Sequence, residues 1–202
     1  KRKIGWGDQL IGTGIARGAA ARGKRIAFGD GRRIHWDHNS PLIFKNNPNI
    51  APPGSEGSPD LEWNSYRKGN RIYQRHDRIN NRWIWNMDFR AKPGEVFLDD
   101  DERVFASCEW QHRRGSQLIV IEPDVPVKMH AINKRWPIAR YQLVADYLTK
   151  QGYDVVRFIH GKEQIPFPQA RGIATPTFRH ALAVLARAAL YIGPEGGLHH
   201  GA

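Results

Sequence analysis

The second half of the chain alternates between apolar runs and amphipathic stretches. Nearly all-apolar segments occupy residues 117–123, 153–159 and 190–192, and such segments are typical of buried parallel strands. Two stretches between them carry apolar side chains at helical spacing. These are Ile138, Tyr141, Val144, Tyr147 and Leu148 in one stretch, and Phe178, Leu182, Leu185 and Ala189 in the other. The pattern predicts the order β-α-β-loop-α-β.

The first half begins with a shorter version of the same pattern. We expect the stub of a strand at residues 1–4, a turn at Gly5 and Gly7, a helix over residues 9–21 and a strand over residues 24–28. A strand, a helix and a second strand form a βαβ unit, for which a right-handed parallel crossover is expected.

One βαβ theme in each half predicts an α/β protein. We expect two doubly wound, Rossmann-like halves with parallel sheets and a cleft between them. The 202 residues allow two small domains, and we place them at residues 1–114 and 115–202.

The middle of the chain is less regular. Residues 51–59 predict a loop because they are rich in Pro, Gly and Ser, and residues 71–73 and 83–86 predict short strands. Cations and aromatic residues interleave across these strands: Tyr66, Arg67, Lys68, Arg71, Tyr73, Arg75, Arg78, Arg82, Trp83 and Trp85. Such patches bind nucleic acid by phosphate contact and base stacking. The alternative is a basic strand face with its aromatic side chains in the core.

The charge and the cysteine content narrow the choice of partner and compartment. A formal net charge of +11 favours an anionic partner, such as a nucleotide, a nucleic acid, a phosphorylated glycan or an anionic lipid surface, although solubility alone also accounts for it.

The single cysteine, Cys108, fits a reducing compartment. There is no apolar run of about 18 residues and no signal-peptide pattern. We expect a cytoplasmic protein, free or peripheral to the inner membrane face.

The last apolar run leads into residues 193–200, with the sequence Gly-Pro-Glu-Gly-Gly-Leu-His-His. This order is typical of a strand that ends in a tight loop before a helix. Free N–H groups at a helix start favour an anion, and glycines let a phosphate approach the backbone. An ordinary strand–helix turn is the alternative. Adjacent histidines in a helix point in different directions, so we expect no metal site here.

Two distant parts of the chain resemble the heptosyltransferase-like glycosyltransferases of family 9. Residues 4–14, Ile-Gly-Trp-Gly-Asp-Gln-Leu-Ile-Gly-Thr-Gly, are similar to the family's N-terminal Gly-x-Gly-Asp turn, and residues 47–50, Asn-Pro-Asn-Ile, to its NP-x-I turn. Residues 134–137, Lys-Arg-Trp-Pro, resemble its Lys-x-Trp-Pro motif. Residues 193–200 resemble its Asp-Thr-Gly-x-x-His loop. The resemblance does not extend to about residues 55–112.

The resemblance implies the GT-B fold, in which two Rossmann-like domains face one cleft, and an inverting, metal-independent transfer from a nucleotide sugar. It implies that Asp8 is the general base. The diphosphate would be held by Lys134, Gly196, Gly197, Leu198, His199 and His200. The nucleoside would be held by Glu163 and Glu195. Apart from the resemblance, we assign the acceptor to Gly7, Gln9, Arg71 and Arg75, since the basic stretch that contains the two arginines could hold an anionic acceptor.

The chain departs from the family pattern at four points. Glu195 stands where the family has Asp, and Gly196 replaces a Thr or Ser whose hydroxyl could bind phosphate. The first half is short for the family. The chain also ends where a further helix and strand would follow, so we expect the C-terminal domain to be incomplete.

These residues match the chemistry of sugar transfer. A carboxylate at Asp8 can take the acceptor's proton, although a simple helix cap is an equal interpretation of that residue. Lys134 and fixed N–H groups can stabilise the leaving diphosphate without a metal or an organic cofactor. We therefore interpret the chain as an inverting glycosyltransferase acting on an anionic glycan or other anionic acceptor. The alternatives are a basic nucleic-acid-binding module and a catalytically inactive GT-B domain.

Overall fold

The computed structural model divides into two compact units, Lys1–Phe97 and Leu98–Ala202. It describes residues 4–66, 70–110, 115–124, 134–160 and 164–202. The division lies between Phe97 and Leu98, whereas the sequence pattern placed it between residues 114 and 115. Helix α3 (Asp100–Trp110) accounts for the difference, because it packs on helix α5 (Phe178–Leu185) of the second unit.

The first unit begins with helix α1 (Trp6–Ala20), which starts earlier than the sequence predicts. Gly5 is its N-cap, in an extended conformation, and the Asp8 carboxylate accepts a hydrogen bond from the Gly5 N–H at 3.3 Å. Gly7 therefore lies inside the first helical turn and not in a preceding turn. Residues 1–3 of the expected strand stub lie outside the described residues, and Ile4 is not in a strand.

Glycine lets helix α1 pack closely on a later segment of the chain. A Cβ on Gly14 would lie 2.3 Å from the Lys92 carbonyl oxygen, so only glycine fits there. The Thr13 hydroxyl accepts a hydrogen bond from the Glu95 N–H at 3.0 Å. This contact explains why a helix with several glycines is stable in spite of its low intrinsic propensity.

Strand β1 (Arg25–Phe28), helix α2 (Ser40–Phe44) and strand β2 (Leu61–Asn64) complete the core of this unit. β1 pairs with β2 in parallel, from Arg25 opposite Leu61 to Phe28 opposite Asn64. β1 thus has a parallel partner, but the partner is β2 and not the stub expected at residues 1–4. The buried rings of Phe28 and Phe44 stack with centroids 5.3 Å apart, which joins α2 to the sheet.

A three-stranded antiparallel sheet follows in the first unit. Its strands are β3 (Asn70–Arg71), β4 (Gln74–Asp77) and β5 (Arg82–Trp85), in that order. The pairing of Arg71 with Gln74 makes the intervening residues a tight turn, where the sequence pattern predicted a strand. The β4–β5 hairpin pairs Gln74 with Trp85 and Asp77 with Arg82.

The second unit is built on a four-stranded parallel sheet. Its strands are β6 (Leu118–Ile121), β7 (Asp154–Ile159), β8 (Arg171–Ala174) and β9 (Leu190–Ile192), in the spatial order β8-β7-β6-β9. All three pairings are parallel, as the apolar runs predict. Helix α4 (Ile138–Lys150) packs on β7, and the short helix α6 (Gly197–Gly201) follows β9.

The strand order identifies the edge of the sheet where a ligand is expected. β6 lies in the middle of the sheet, and the chain moves to one side of it through β7 and β8 and returns to its other side at β9. The order therefore reverses between β6 and β9. In open α/β sheets, ligands bind outside the carboxyl ends of the strands at such a switch point. Within the described ranges, no helix is long and apolar enough to span a bilayer.

Candidate functional site

Asp8 is the centre of a polar cluster in the first unit. Its carboxylate accepts hydrogen bonds from the Gly5 N–H and from the Tyr73 hydroxyl, and it forms an ion pair with Arg71 at 3.1 Å. The Tyr66 hydroxyl donates to the Asp8 backbone carbonyl. The Asp8 side chain keeps 26% of its surface exposed, so one side of the carboxylate faces solvent.

The antiparallel sheet supplies the groups around Asp8. The Arg71 side chain is only 4% exposed, and its guanidinium lies 5.9 Å and 5.8 Å from the ring centroids of Tyr66 and Tyr73. Burial raises the pKa of Tyr73, which keeps its hydroxyl protonated and able to donate. Asp8 therefore caps the helix and forms a buried ion pair as well.

Of the other first-unit residues assigned to the acceptor, Arg71 contacts Asp8, whereas the side chains of Gln9 and Arg75 lie elsewhere. Gln9 is fully buried, and its amide donates to Asp37 and Ser40, so its side chain holds the start of α2 and is not open to an acceptor. Arg75 is exposed but lies on the opposite face of the sheet from Arg71, because it pairs with Asn70. Arg71 itself is occupied by Asp8.

In the second unit, Lys134 lies against the loop after β9. Its ammonium donates to the Glu195 carboxylate and lies 3.5 Å from the Glu195 carbonyl oxygen. The His200 ring is 2.8 Å from the other carboxylate oxygen. The hydrogen bond from Lys134 holds the pKa of Glu195 below its ordinary value. Lys134 and His200, which the sequence assigns to diphosphate binding, therefore meet at Glu195, which it assigns to the nucleoside and which is 61 positions from Lys134.

The loop's glycines have different surroundings. A Cβ on Gly193 would lie 2.4 Å from the Tyr191 hydroxyl and 2.9 Å from the Glu122 carbonyl oxygen, so the loop passes too close to β6 for a side chain. A Cβ on Gly196 would have no described neighbour within 4 Å, and its φ of 177° is ordinary extended backbone. His199 lies beside the Tyr191 ring, whereas His200 contacts Glu195.

Sequence reasoning missed Glu122 and His160, which follow β6 and β7 at the same edge. Glu122 is 3% exposed, and its Oε2 atom is buried without a hydrogen-bond partner among the described residues. The His160 Nε2 lies 3.5 Å from that oxygen. Burial raises the pKa of Glu122, and the Glu122 carboxylate raises the pKa of His160. A polar residue directly after an apolar strand was the available signal.

Asp124 fixes the loop beside this pair. Its carboxylate accepts hydrogen bonds from Arg157, from the Gln164 amide at 3.1 Å and from the Ile165 N–H at 3.1 Å. The predicted nucleoside residue Glu163 lies outside the described residues. No group of three or more His, Cys, Asp or Glu side chains is placed to hold a metal ion in the described parts of the chain.

Comparison with known proteins agrees with this architecture. The chain resembles the crystal structure of a glycosyl transferase family 9 protein from Veillonella parvula, with a TM-score of 0.60 and 16% identity over 98% of this chain and 75% of that one. The fold is that of a family 9 glycosyltransferase. The α/β prediction with parallel sheets of GT-B type is thereby confirmed.

A second structure, E. coli ADP-heptose lps heptosyltransferase II, matches over 57% of this chain with 20% identity and a TM-score of 0.44. The chain spans 38% of that protein's length. No family model and no curated protein matches the sequence. The family named for the Veillonella parvula structure is the one that the motifs at the two ends of the sequence resemble.

Proposed function

We propose that this protein is an inverting, metal-independent glycosyltransferase that moves a sugar from a nucleotide diphosphate sugar to a hydroxyl of an anionic glycan. The observation that carries the proposal is the edge between β6 and β9. The Gly193–Gly196 loop and Lys134 lie together at the place where an α/β sheet binds its ligand. The +11 charge fits both an anionic donor and an anionic acceptor.

In this proposal the second unit binds the donor. The Lys134 ammonium exchanges its Glu195 partner for the diphosphate, whose charge is larger. The backbone from Gly196 to Leu198, with His199 and His200, contributes further donors to the same phosphates. Glu195 and Glu163 would then contact the nucleoside.

In the first unit, Asp8 would be the base. Its carboxylate takes the proton of the acceptor hydroxyl as the acceptor oxygen bonds to the anomeric carbon. The bond from that carbon to the diphosphate oxygen breaks, and the nucleoside diphosphate leaves with its negative charge stabilised by Lys134. Arg71 and Tyr73 hold the carboxylate in place, so we assign them to positioning. Gly7 and Arg75 remain proposed acceptor contacts.

One observation favours a second candidate function. Asp8 already has an ion pair and two hydrogen-bond donors, which occupy lone pairs that a base would use. A protein that binds a nucleotide sugar without transferring it would need no free base. Turnover in the presence of a bound donor separates this candidate from the transferase.

Calorimetric titration with nucleoside diphosphates and nucleotide sugars tests the proposal. We expect one of them to bind, and Lys134→Ala to weaken it about tenfold, because a hydrogen bond to a charged group contributes roughly 1.5–3 kcal/mol. The control is Lys150→Ala, at the exposed end of α4, which should leave binding unchanged. Binding of none of these ligands, or equal losses in both variants, would contradict the proposed site.

A further inference from the structure

The β4–β5 hairpin carries an unusual concentration of exposed apolar side chains. Ile79, at its turn, is 93% exposed, and Met87, just after β5, is 79% exposed. Trp83 and Trp85 are 44% and 59% exposed and lie on the same face of β5, because they are two positions apart in a strand. Large apolar groups gathered at one place on a surface mark an interaction site.

Cationic side chains lie on the same hairpin, with Arg75 and Arg82 on the face opposite Trp83 and Trp85. Residues 70–90 contain five arginines and two aspartates. Arg75, Arg78 and Arg82 are exposed. Asp77, the acidic residue nearest the turn, directs its carboxylate to the Ile79 and Asn80 N–H groups and to the Asn80 amide, and its Oδ2 lies 3.7 Å from the Arg82 Nε. The hairpin therefore presents apolar and positive groups, while Asp77 holds the turn and pairs with Arg82.

The same hydrogen bonds make the hairpin tip, defined here as residues 78–83, a preformed structure. Asp77 fixes the residues on one side of the turn, and Asn81 adopts a positive φ of 48°, which asparagine tolerates. His76 packs against Trp83 with ring centroids 5.0 Å apart. Ile79 thus projects from a fixed turn, so little ordering entropy opposes its burial in a partner.

We propose that the hairpin tip is a docking element for an anionic lipid surface. Ile79 and Met87 gain free energy by entering an apolar phase, tryptophan side chains favour the interfacial region, and arginines attract anionic headgroups. A bilayer surface supplies all three environments together. Single-stranded nucleic acid would use the arginines and tryptophans by phosphate contact and stacking, but it offers no apolar phase for Ile79. This inference does not depend on the proposed transfer reaction.

Vesicle co-sedimentation tests the proposal with the whole protein. We expect binding to vesicles of phosphatidylcholine mixed with phosphatidylglycerol and weak or no binding to phosphatidylcholine alone. Added salt should reduce the binding, because it screens the arginine–headgroup attraction. Ile79→Ser should lower the partition coefficient about tenfold through the loss of apolar burial. Arg78→Gln should lower it about fivefold.

Matched controls come from exposed positions of helix α4 in the second unit. Leu143 is 70% exposed, so Leu143→Ser removes a comparable apolar surface outside the hairpin, and Arg140→Gln removes an exposed positive charge. Both variants should bind anionic vesicles as the parent protein does. Equal losses in the control and hairpin variants would show that net charge or general hydrophobicity drives binding, and would overturn the proposal.

Two other outcomes would also overturn the proposal. The first is binding to a single-stranded oligonucleotide that Trp83→Ser weakens, with no binding to anionic vesicles, which would assign the hairpin to nucleic acid. The second is a dimer in light scattering that Ile79→Ser converts to a monomer, again with no vesicle binding, which would assign the tip to contact between copies of the chain.

Discussion

Asp8 in the first unit and Glu122 in the second are carboxylates in opposite situations. Asp8 is partly exposed, and it has a buried arginine, a tyrosine hydroxyl and a backbone N–H as partners. Glu122 is almost fully buried, and one of its oxygens has no hydrogen bond among the described residues. The comparison teaches that exposure alone does not identify a reactive group. The exposed carboxylate is the satisfied one, and the buried carboxylate has unused capacity.

The largest expected effect tests whether the satisfied carboxylate is also a base. We expect Asp8→Asn to lower the turnover of a bound nucleotide sugar by between about 100-fold and 10,000-fold, because the amide cannot take the acceptor's proton. Donor affinity from calorimetry should be unchanged. Asp88→Asn, at an exposed position of the same unit, is the control. Unchanged turnover in Asp8→Asn would leave Asp8 with its capping and ion-pair roles alone.

The next largest expected effect is the contribution of the Asp8 cluster to the free energy of unfolding. Arg71→Met should lower the free energy of unfolding by about 2 kcal/mol, because it removes the buried cation that faces Asp8. Arg75→Met changes an exposed arginine on the other face of the same sheet and should cost less than about 0.5 kcal/mol. Denaturant unfolding followed by tryptophan fluorescence compares the two variants. Equal costs would mean that the ion pair contributes nothing specific.

The unsatisfied carboxylate should show itself in the pH dependence of stability. Burial raises the folded-state pKa of Glu122 above its ordinary 4.5, so its contribution to stability is lost as pH rises through that higher folded pKa. The folded-state pKa of His160 is raised above 6.5, so its contribution is present below pH 6.5 and is lost as pH rises through the folded value. Both changes lower the stability of the parent protein toward alkaline pH.

Glu122→Gln should therefore flatten this decline. We expect a gain of about 1 kcal/mol on the alkaline side of the His160 pKa, because a neutral amide replaces a buried charge without a full set of partners. Urea unfolding across a pH series measures the gain. The exposed carboxylate of α4 provides the control variant Asp146→Asn, which should keep the parent slope. A Glu122→Gln protein with the parent's pH slope would show that Glu122 is adequately solvated.

The smallest expected effect concerns the open space at Gly196. Because an added Cβ meets no described atom within 4 Å there, Gly196→Ser should fold normally. Its hydroxyl should strengthen nucleoside diphosphate binding about threefold, as a modest added hydrogen bond does. Gly57→Ser, in an equally open loop of the first unit, should leave affinity unchanged. Weaker binding in Gly196→Ser would mean that the diphosphate lies against the Gly196 backbone itself.

The sequence predicts the second unit better than the first for a physical reason. Strands β6 and β7 are almost fully buried in a parallel sheet and are mostly apolar. β9 is less buried, but its sequence Leu-Tyr-Ile is also an apolar run, so all three strands are easy to recognise. β8 has the sequence Arg-Gly-Ile-Ala and β2 has Leu-Glu-Trp-Asn. Neither sequence is a continuous apolar run, and neither strand was predicted.

The candidate site residues were likewise easier to predict in the second unit than in the first. The meeting of Lys134 with the loop around Glu195 could be expected, because both lie at carboxyl ends or helix starts of one α/β unit. The partners of Asp8 could not be predicted from the sequence, because Arg71 and Tyr73 come from a small antiparallel sheet more than 60 positions away. Nothing in an alternation of cations and aromatic residues indicates which arginine is buried and which is exposed.

The attachment of that sheet to Asp8 has a mechanical consequence. Strand β3 carries Arg71, and the following turn carries Tyr73. Both side chains bind the Asp8 carboxylate at the beginning of α1. A force pulling on the β4–β5 hairpin would thus be resisted by the contacts of Arg71 and Tyr73 with Asp8. Separating this hairpin from α1 would therefore require breaking the ion pair between Arg71 and Asp8.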